Sequence, residues 1–240
     1  LYELAFADME ILDKRTERIK EQMKGSKSNQ RSRLTQEIEV ILGIRDGLED
    51  GRYLRDKDLG KNERAVIEGF GLLTAKPAVV SVNVDENQRA SHLPSQEDLL
   101  ALSKERKVIV SDICGKLEMD LVQMEPEDEQ EFRIAMGLGE SSLDQIIRLS
   151  YEALDLITFF TASEDEIRAW PVPKGTSAGR AAGKIHTDLE RGFVRAETVE
   201  LKDLERLGSL AEARKHGLLR QEGRGYLIND SDVITILHNV

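Results

Sequence analysis

Asn83-Val84-Asp85-Glu86 places an amide, an apolar side chain and two carboxylates directly after the β-branched run Ala78-Val79-Val80-Ser81-Val82. Open α/β sheets put ligand-contacting residues there, just beyond the carboxyl ends of their strands. Guanine-specific sites carry Asn-Lys-x-Asp at this place, and the last carboxylate accepts hydrogen bonds from guanine N1 and N2. Here Glu86 is one methylene longer and Val84 stands in for the lysine, which weakens guanine readout. The Asn83 amide can pair with an adenine edge while Val84 packs on the ring. The same tetrad also suits a plain strand-to-loop turn, where Asn and Asp are common, and taken alone it leaves both readings open.

A phosphate loop needs G-x-x-x-x-G-K-[ST], and the 240 residues contain none. Gly179-Arg180-Ala181-Ala182-Gly183-Lys184 has three residues between its glycines and is followed by Ile185. It reads as small residues letting a short helix pack closely on a sheet. Asp112-Ile113-Cys114-Gly115 carries the D-x-x-G pattern of a nucleotide switch, but without a phosphate loop it reads as a strand-end turn. Cys114 has no histidine near it in sequence and reads as a small buried hydrophobe. His186, two residues before Asp188, reads as a turn histidine. Lys174, Arg180, Lys184, Arg191 and Arg195 fall within 22 residues, spaced to form either a phosphate-binding stripe or a solvated charged face.

The elements that position these residues fall into three pieces. From Leu1 to Met23 the apolar positions Leu4, Ile11, Ile19 and Met23 recur at helical spacing; Gly25 to Asn29 break the pattern and Leu34, Ile38, Ile41, Leu42 and Leu48 resume it. The spacing predicts an antiparallel helical hairpin with a narrow, coiled-coil-like stripe, followed by a third helix over Asn62 to Leu73. After Lys76-Pro77 come strands at Ala78 to Val82 and Lys107 to Val110, both read as buried on two faces, with capped helix starts at Ser95 and Ser141. That is half of an α/β domain. From Ile157 the strands shorten: Ile157 to Thr161 and Ile167 to Val172 around Ser163-Glu164-Asp165, then a helix at Ala178 to Lys184, a strand at Phe193 to Val199 and a helix at Leu210 to His216. Tyr226 to Ile228 and Val233 to Leu237 are predicted to close as a hairpin around Asn229-Asp230-Ser231. The resulting division is 1–75 helical, 76–155 α/β and 156–240 α+β.

Composition fits a folded protein of several domains: 40% of residues are hydrophobic, 33% charged, and the net charge is −11. Residues 156–240 hold 12 Lys or Arg against 13 Asp or Glu, so the acidic load lies before them. A single cysteine and four scattered histidines argue for a reducing cytoplasm and against a structural metal. No apolar run reaches the length of a membrane span, and Leu1 in place of Met suggests that the natural N-terminus lies further upstream.

Together these pieces resemble the Obg-like ATPases, also called YchF proteins, of the translation-factor class of P-loop nucleotidases. The resemblance rests on Glu3-Leu4-Ala5-Phe6-Ala7-Asp8-Met9-Glu10, on Lys76-Pro77 through Glu86, and above all on Arg168-Ala169-Trp170, Ala182-Gly183-Lys184-Ile185-His186-Thr187-Asp188, Gly192-Phe193, Arg195-Ala196-Glu197 and Asp232-Val233-Ile234. It implies a coiled-coil insertion, the second half of a nucleotide domain and a C-terminal TGS domain of ubiquitin-like β-grasp fold. By the same resemblance Asn83, Val84 and Glu86 contact the base, and Cys114-Gly115-Lys116 match the loop that closes over it. Gly115-Lys116 looks more like the Ser-Ala-Lys loop of guanine-nucleotide relatives, which leaves GTP open beside ATP. The resemblance implies Mg²⁺-dependent ATP hydrolysis in the intact protein, a ribosome or RNA partner, no DNA specificity and no membrane. The family's phosphate loop and switches lie upstream of its coiled coil, so the expectation is that these residues alone do not hydrolyse nucleotide.

Overall fold

The computed structural model describes residues 1–84, 103, 108–162 and 166–239. They form two compact units, Leu1–Gln145 and Ile146–Val240. The helix start at Ser95, Lys107 and the turn Ser163-Glu164-Asp165 lie outside the described residues.

The first unit opens with α1 (Tyr2–Lys24) and α2 (Ser28–Glu49). Ala5, Leu12 and Ile19 recur every seven residues and are at most 2% exposed; Ile41, Ile44 and Leu48 of α2 belong to the same core. A seven-residue repeat keeps one stripe of a helix facing its partner. Arg15 pairs with Glu37 and Arg45 with Asp13, which fixes the helices as antiparallel. Inside this seam sits Asp8, fully buried, accepting hydrogen bonds from Leu73 N–H, Thr74 N–H and Thr74 Oγ1–H, each at 2.7 Å. The predicted third helix is shorter than expected: α3 spans Lys61–Ile67, and the chain then turns through Gly69 and Gly71, both at positive φ, into a 3₁₀ turn at Leu73–Ala75. Positive φ at two glycines is incompatible with continued α-helix.

β1 (Ala78–Asn83) and β2 (Val108–Ile113) pair in parallel, from Ala78 opposite Val108 to Asn83 opposite Ile113. The expectation of strands buried on both faces is corrected: no residue of β1 is fully buried, because the sheet has two strands among the described residues and β2 buries only Val108 and Ser111. Two helices went unread in the sequence, α4 (Gly115–Leu121) and α5 (Pro126–Ala135). The second carries a first-turn proline followed by Glu127, Asp128 and Glu129, a favourable start for the helix dipole. Arg133 of α5 grips Glu118 of α4 through two hydrogen bonds, 3.2 and 2.6 Å. Burial pushes the Glu118 carboxyl up, but the hydrogen bonds from Arg133 and Ser142 outweigh it and hold the group below its ordinary range. α6 (Ser142–Ala153) begins where the sequence placed it, with Ser141 Oγ accepting from Asp144 N–H at 3.0 Å.

The second unit is a five-stranded mixed sheet in the order β4-β3-β7-β5-β6, built from β3 (Leu156–Ala162), β4 (Ile167–Pro173), β5 (Phe193–Glu200), β6 (Arg220–Glu222) and β7 (Asp232–His238). β3 runs parallel to β7, and β5 runs antiparallel to both of its neighbours. α7 (Ala178–Ile185) covers one face through Ala178 and Ala181, packed with Phe159, Ala196 and Ile234. The other face holds Val199 and Val233 against α9 (Leu201–Leu207) and α10 (Leu210–Lys215). The predicted closing hairpin does not form. β7 instead pairs with β5 and β3, while Ile228 and Tyr226 turn into the α7-side core and Tyr226 hydrogen-bonds Asp232. Among the described residues no helix is long and apolar enough to cross a membrane.

Candidate functional site

The carboxyl ends of β1 and β2 bring the two separately read motifs together. Val84 N–H donates to Ile113 O at 2.8 Å, continuing the ladder one residue past β1. Gly115 N–H donates to Asn83 Oδ1 at 3.1 Å, so the amide carbonyl oxygen is committed to the opposite strand's loop. The Asn83 NH₂ group is left as the donor on an exposed side chain. A Cβ at position 115 would lie 3.3 Å from Asn83 Oδ1, a tight contact that a small shift of the exposed Asn83 side chain would relieve. Val84 is 8% exposed and Cys114 2%, so both are buried beside this junction and leave little apolar surface for a ring to pack on. Lys116 is exposed in the first turn of α4. Glu86 lies outside the described residues.

What this edge exposes is one amide donor, with a lysine in the helix turn that follows β2, groups that suit the edge of a heterocyclic base. Mg²⁺ fits less well. Among the described residues there is no group of three or more His, Cys, Asp or Glu placed to hold a metal ion. Asp112 is inside β2, opposite Val82, and not in a strand-end turn as expected.

The five basic residues of the second unit are all exposed, but they do not share one face. Arg180 and Lys184 lie one turn apart on α7, on the side away from its buried Ala178, Ala181 and Ala182. Lys174 follows β4 and Arg191 ends α8 (Thr187–Arg191). Arg195 donates to Gln221 at 3.0 Å, and Gln221 in turn lies beside Glu197, which Arg214 of α10 grips. Arg195 therefore belongs to the α10 side of the sheet, opposite α7. His186 Nδ1 accepts from Asp188 N–H at 3.2 Å and caps α8, the role of a turn histidine. Gly179 and Gly183 sit under the side chains of Arg224 and Glu190, a close-packing role and not a phosphate loop.

Sequence reading missed the direct link from Asn83 to Gly115. The available signal was that Asn83 directly follows one β-branched run and Gly115 lies shortly after the other, so parallel pairing of the two strands would bring both to one edge.

Residues 156–239 match YchF-GTPase_C, described as a protein of unknown function (DUF933). Over 99% of its length the chain is 37% identical to the ribosome-binding ATPase YchF of Bacillus subtilis and 35% identical to that of Escherichia coli O157:H7, covering 64% of each. The solved YchF GTPase of Schizosaccharomyces pombe superposes with a TM-score of 0.81 at 27% identity, covering 98% of this chain and 64% of that one. The chain thus has a mixed α and β fold like that GTPase and spans less than two thirds of the relatives it matches. Residues 156–239 carry the C-terminal domain that the YchF family model describes, and the chain as a whole is similar to YchF proteins.

Proposed function

We propose that this chain is the part of a ribosome-associated Obg-like ATPase that reads the nucleotide base and carries the partner-binding domains. On this reading residues 1–75 are the coiled-coil domain, 76–155 the second half of the nucleotide domain and 156–240 a TGS domain of β-grasp fold, in a cytoplasmic protein. The observation that carries it is the Asn83–Gly115 junction, which orients an amide donor at the carboxyl edge of a parallel sheet. Val84 in place of a lysine, with Glu86 in place of Asp, favours ATP over GTP. The intact protein hydrolyses ATP with Mg²⁺ by stabilising charge on the transferring phosphate. The 240 residues contain no phosphate-loop pattern, so by themselves they bind weakly and do not turn nucleotide over.

The test is an NMR titration of the chain with ATP and, separately, GTP. Shifts of the Asn83 side-chain amide and the Gly115 N–H with ATP, smaller with GTP, are the expected result. Equal shifts would remove the base preference, and none with either nucleotide would remove the site. Exposed Arg180 and Lys184 on α7 favour a second reading, a nucleotide-independent RNA- or ribosome-binding module. It predicts ribosome co-sedimentation that ATP does not alter and that Lys184→Glu with Arg191→Glu abolishes.

A further inference from the structure

We propose that the tip of the α1–α2 hairpin is a docking surface for the phosphate backbone of RNA. Charge is segregated along this hairpin. Residues 14–33 hold eight Lys or Arg against two Asp or Glu, a net of +6 in a chain of net −11. Residues 22–36 contain no acidic residue at all, whereas residues 1–13 contain four and no basic one. The basic end is therefore the turn end, about 30 Å from the start of α1 at 1.5 Å per residue.

The cations at the tip are largely uncommitted. Lys20, Lys27 and Arg33 are exposed and form no ion pair among the described residues. Lys24 has only an exposed pair with Glu21, worth little in water. The turn itself is held: Arg31 Nε donates to Met23 O at 3.0 Å and Ser26 Oγ to Gln22 O at 2.7 Å. The charges are thus presented by a fixed scaffold, which lowers the ordering cost of binding.

The surface chemistry selects the partner. No large hydrophobic side chain is exposed between Ile11 and Leu42. A membrane-surface helix needs an apolar face to insert, and a protein interface centres on buried aromatic or aliphatic anchors; the tip offers neither. It offers cations interleaved with Ser28, Asn29, Gln30 and Ser32, the hydroxyl and amide groups that contact phosphate and sugar oxygens. RNA fits over other polyanions because the relatives named above are ribosome-binding. The inference rests on the RNA-directed part of the proposed function and locates it on the hairpin, separate from the α7 cluster.

The experiment is fluorescence anisotropy of a labelled RNA stem-loop titrated with the full 240-residue chain across about 50 to 200 mM salt. Lys20→Gln, Lys27→Gln and Arg33→Gln together should weaken binding about tenfold or more and flatten the salt dependence by about 2 to 3 in slope. Glutamine has a helix propensity close to that of lysine and arginine, and unchanged far-UV circular dichroism shows that the hairpin is intact. A second variant, Arg180→Gln with Lys184→Gln, should lower affinity less. If the α7 variant abolishes binding while the tip variant matches wild type in affinity and slope, the tip is overturned and the RNA reading stands. If wild type binds phosphatidylserine vesicles and no RNA, both are overturned.

Discussion

Asn83 Oδ1 accepts a hydrogen bond from Gly115 N–H across the ends of two parallel strands whose own residues are 30 apart in sequence. The contact sets which end of the amide faces outward, so a rotated amide would present an acceptor where the base requires a donor. Asn83→Ala should abolish the nucleotide-induced shift at Gly115 N–H, and Asn83→Asp should do the same, because an aspartate keeps the contact to Gly115 but has no donor. Stability should fall by only about 1 kcal/mol, since the group is solvent-accessible. A wild-type nucleotide response in Asn83→Asp would show that the amide does not touch the base.

Asp8 is a different kind of residue, a buried carboxylate whose two oxygens take three hydrogen bonds from Leu73 and Thr74. It ties the start of α1 to the segment that leads into β1. Asp8→Ala leaves two backbone donors and a hydroxyl without partners in the core, and should cost about 3 to 5 kcal/mol in urea unfolding of the helical signal. Thr74→Val, which removes one of the three, should cost about 1 to 2 kcal/mol. Equal losses for the two variants would mean that the carboxylate acts only through the hydroxyl.

Much of this architecture was readable because it rests on periodicity. The helical spacing of Leu4, Ile11, Ile19 and Met23, the β-branched runs at Val79 and Val108, and the Ser141 cap are local signals, and the structure places helices and strands at each, although the buried stripe of α1 runs through Ala5, Leu12 and Ile19 and leaves Ile11 exposed. The end of α3 was misread because two glycines at positive φ, Gly69 and Gly71, interrupt an otherwise helical pattern. The closing hairpin was misread because an Asn-Asp-Ser turn between apolar runs looks local, whereas β7 takes its partners from β5 and β3, far away in sequence. The pairing of Asn83 with Gly115 is also non-local, and only the register of β1 on β2 reveals it. The basic hairpin tip is hidden by an average: the acidic total of the chain masks a short segment of opposite sign.

Tyr226 provides a pH-dependent signal in the second unit. Its hydroxyl donates to Asp232 Oδ2 at 2.8 Å and accepts from Asn229 Nδ2 at 2.8 Å. Burial, with the Asp232 carboxylate second, pushes the phenol up to about 12. The unfolded chain releases this proton near 10, so between those values the unfolded state holds fewer protons and folding weakens as pH rises. The contribution is complete below pH 10 and lost as pH passes 12. Thermal unfolding followed across that window should show a decline that Tyr226→Phe flattens, and absorbance at 295 nm should show a late-titrating component that the same variant removes. A decline of equal steepness in Tyr226→Phe would assign it to other groups.

Gly192 marks the point where β5 begins and the end of β7 passes closest. Its N–H donates to Asp188 O at 2.9 Å, and its carbonyl accepts from Asn239 N–H at 2.9 Å. A methyl group here would overlap the carbonyl oxygen of Asn239 and press on that of Asp188 at 3.3 Å, and both obstacles are backbone. Neither can swing aside, so Gly192→Ala must part β5 from β7 near Phe193 and His238, a pair in their register. The expected loss is about 3 kcal/mol, read as a lower melting temperature and as faster hydrogen exchange at Asn239 N–H. Gly183→Ala is the comparison: the three atoms nearest to its methyl all belong to the Glu190 side chain, whose carboxylate end can rotate away, and it gains helix propensity within α7. That variant should lie within about 1 kcal/mol of wild type. If Gly192→Ala were equally mild, the approach of the two backbones would be looser than the structure requires.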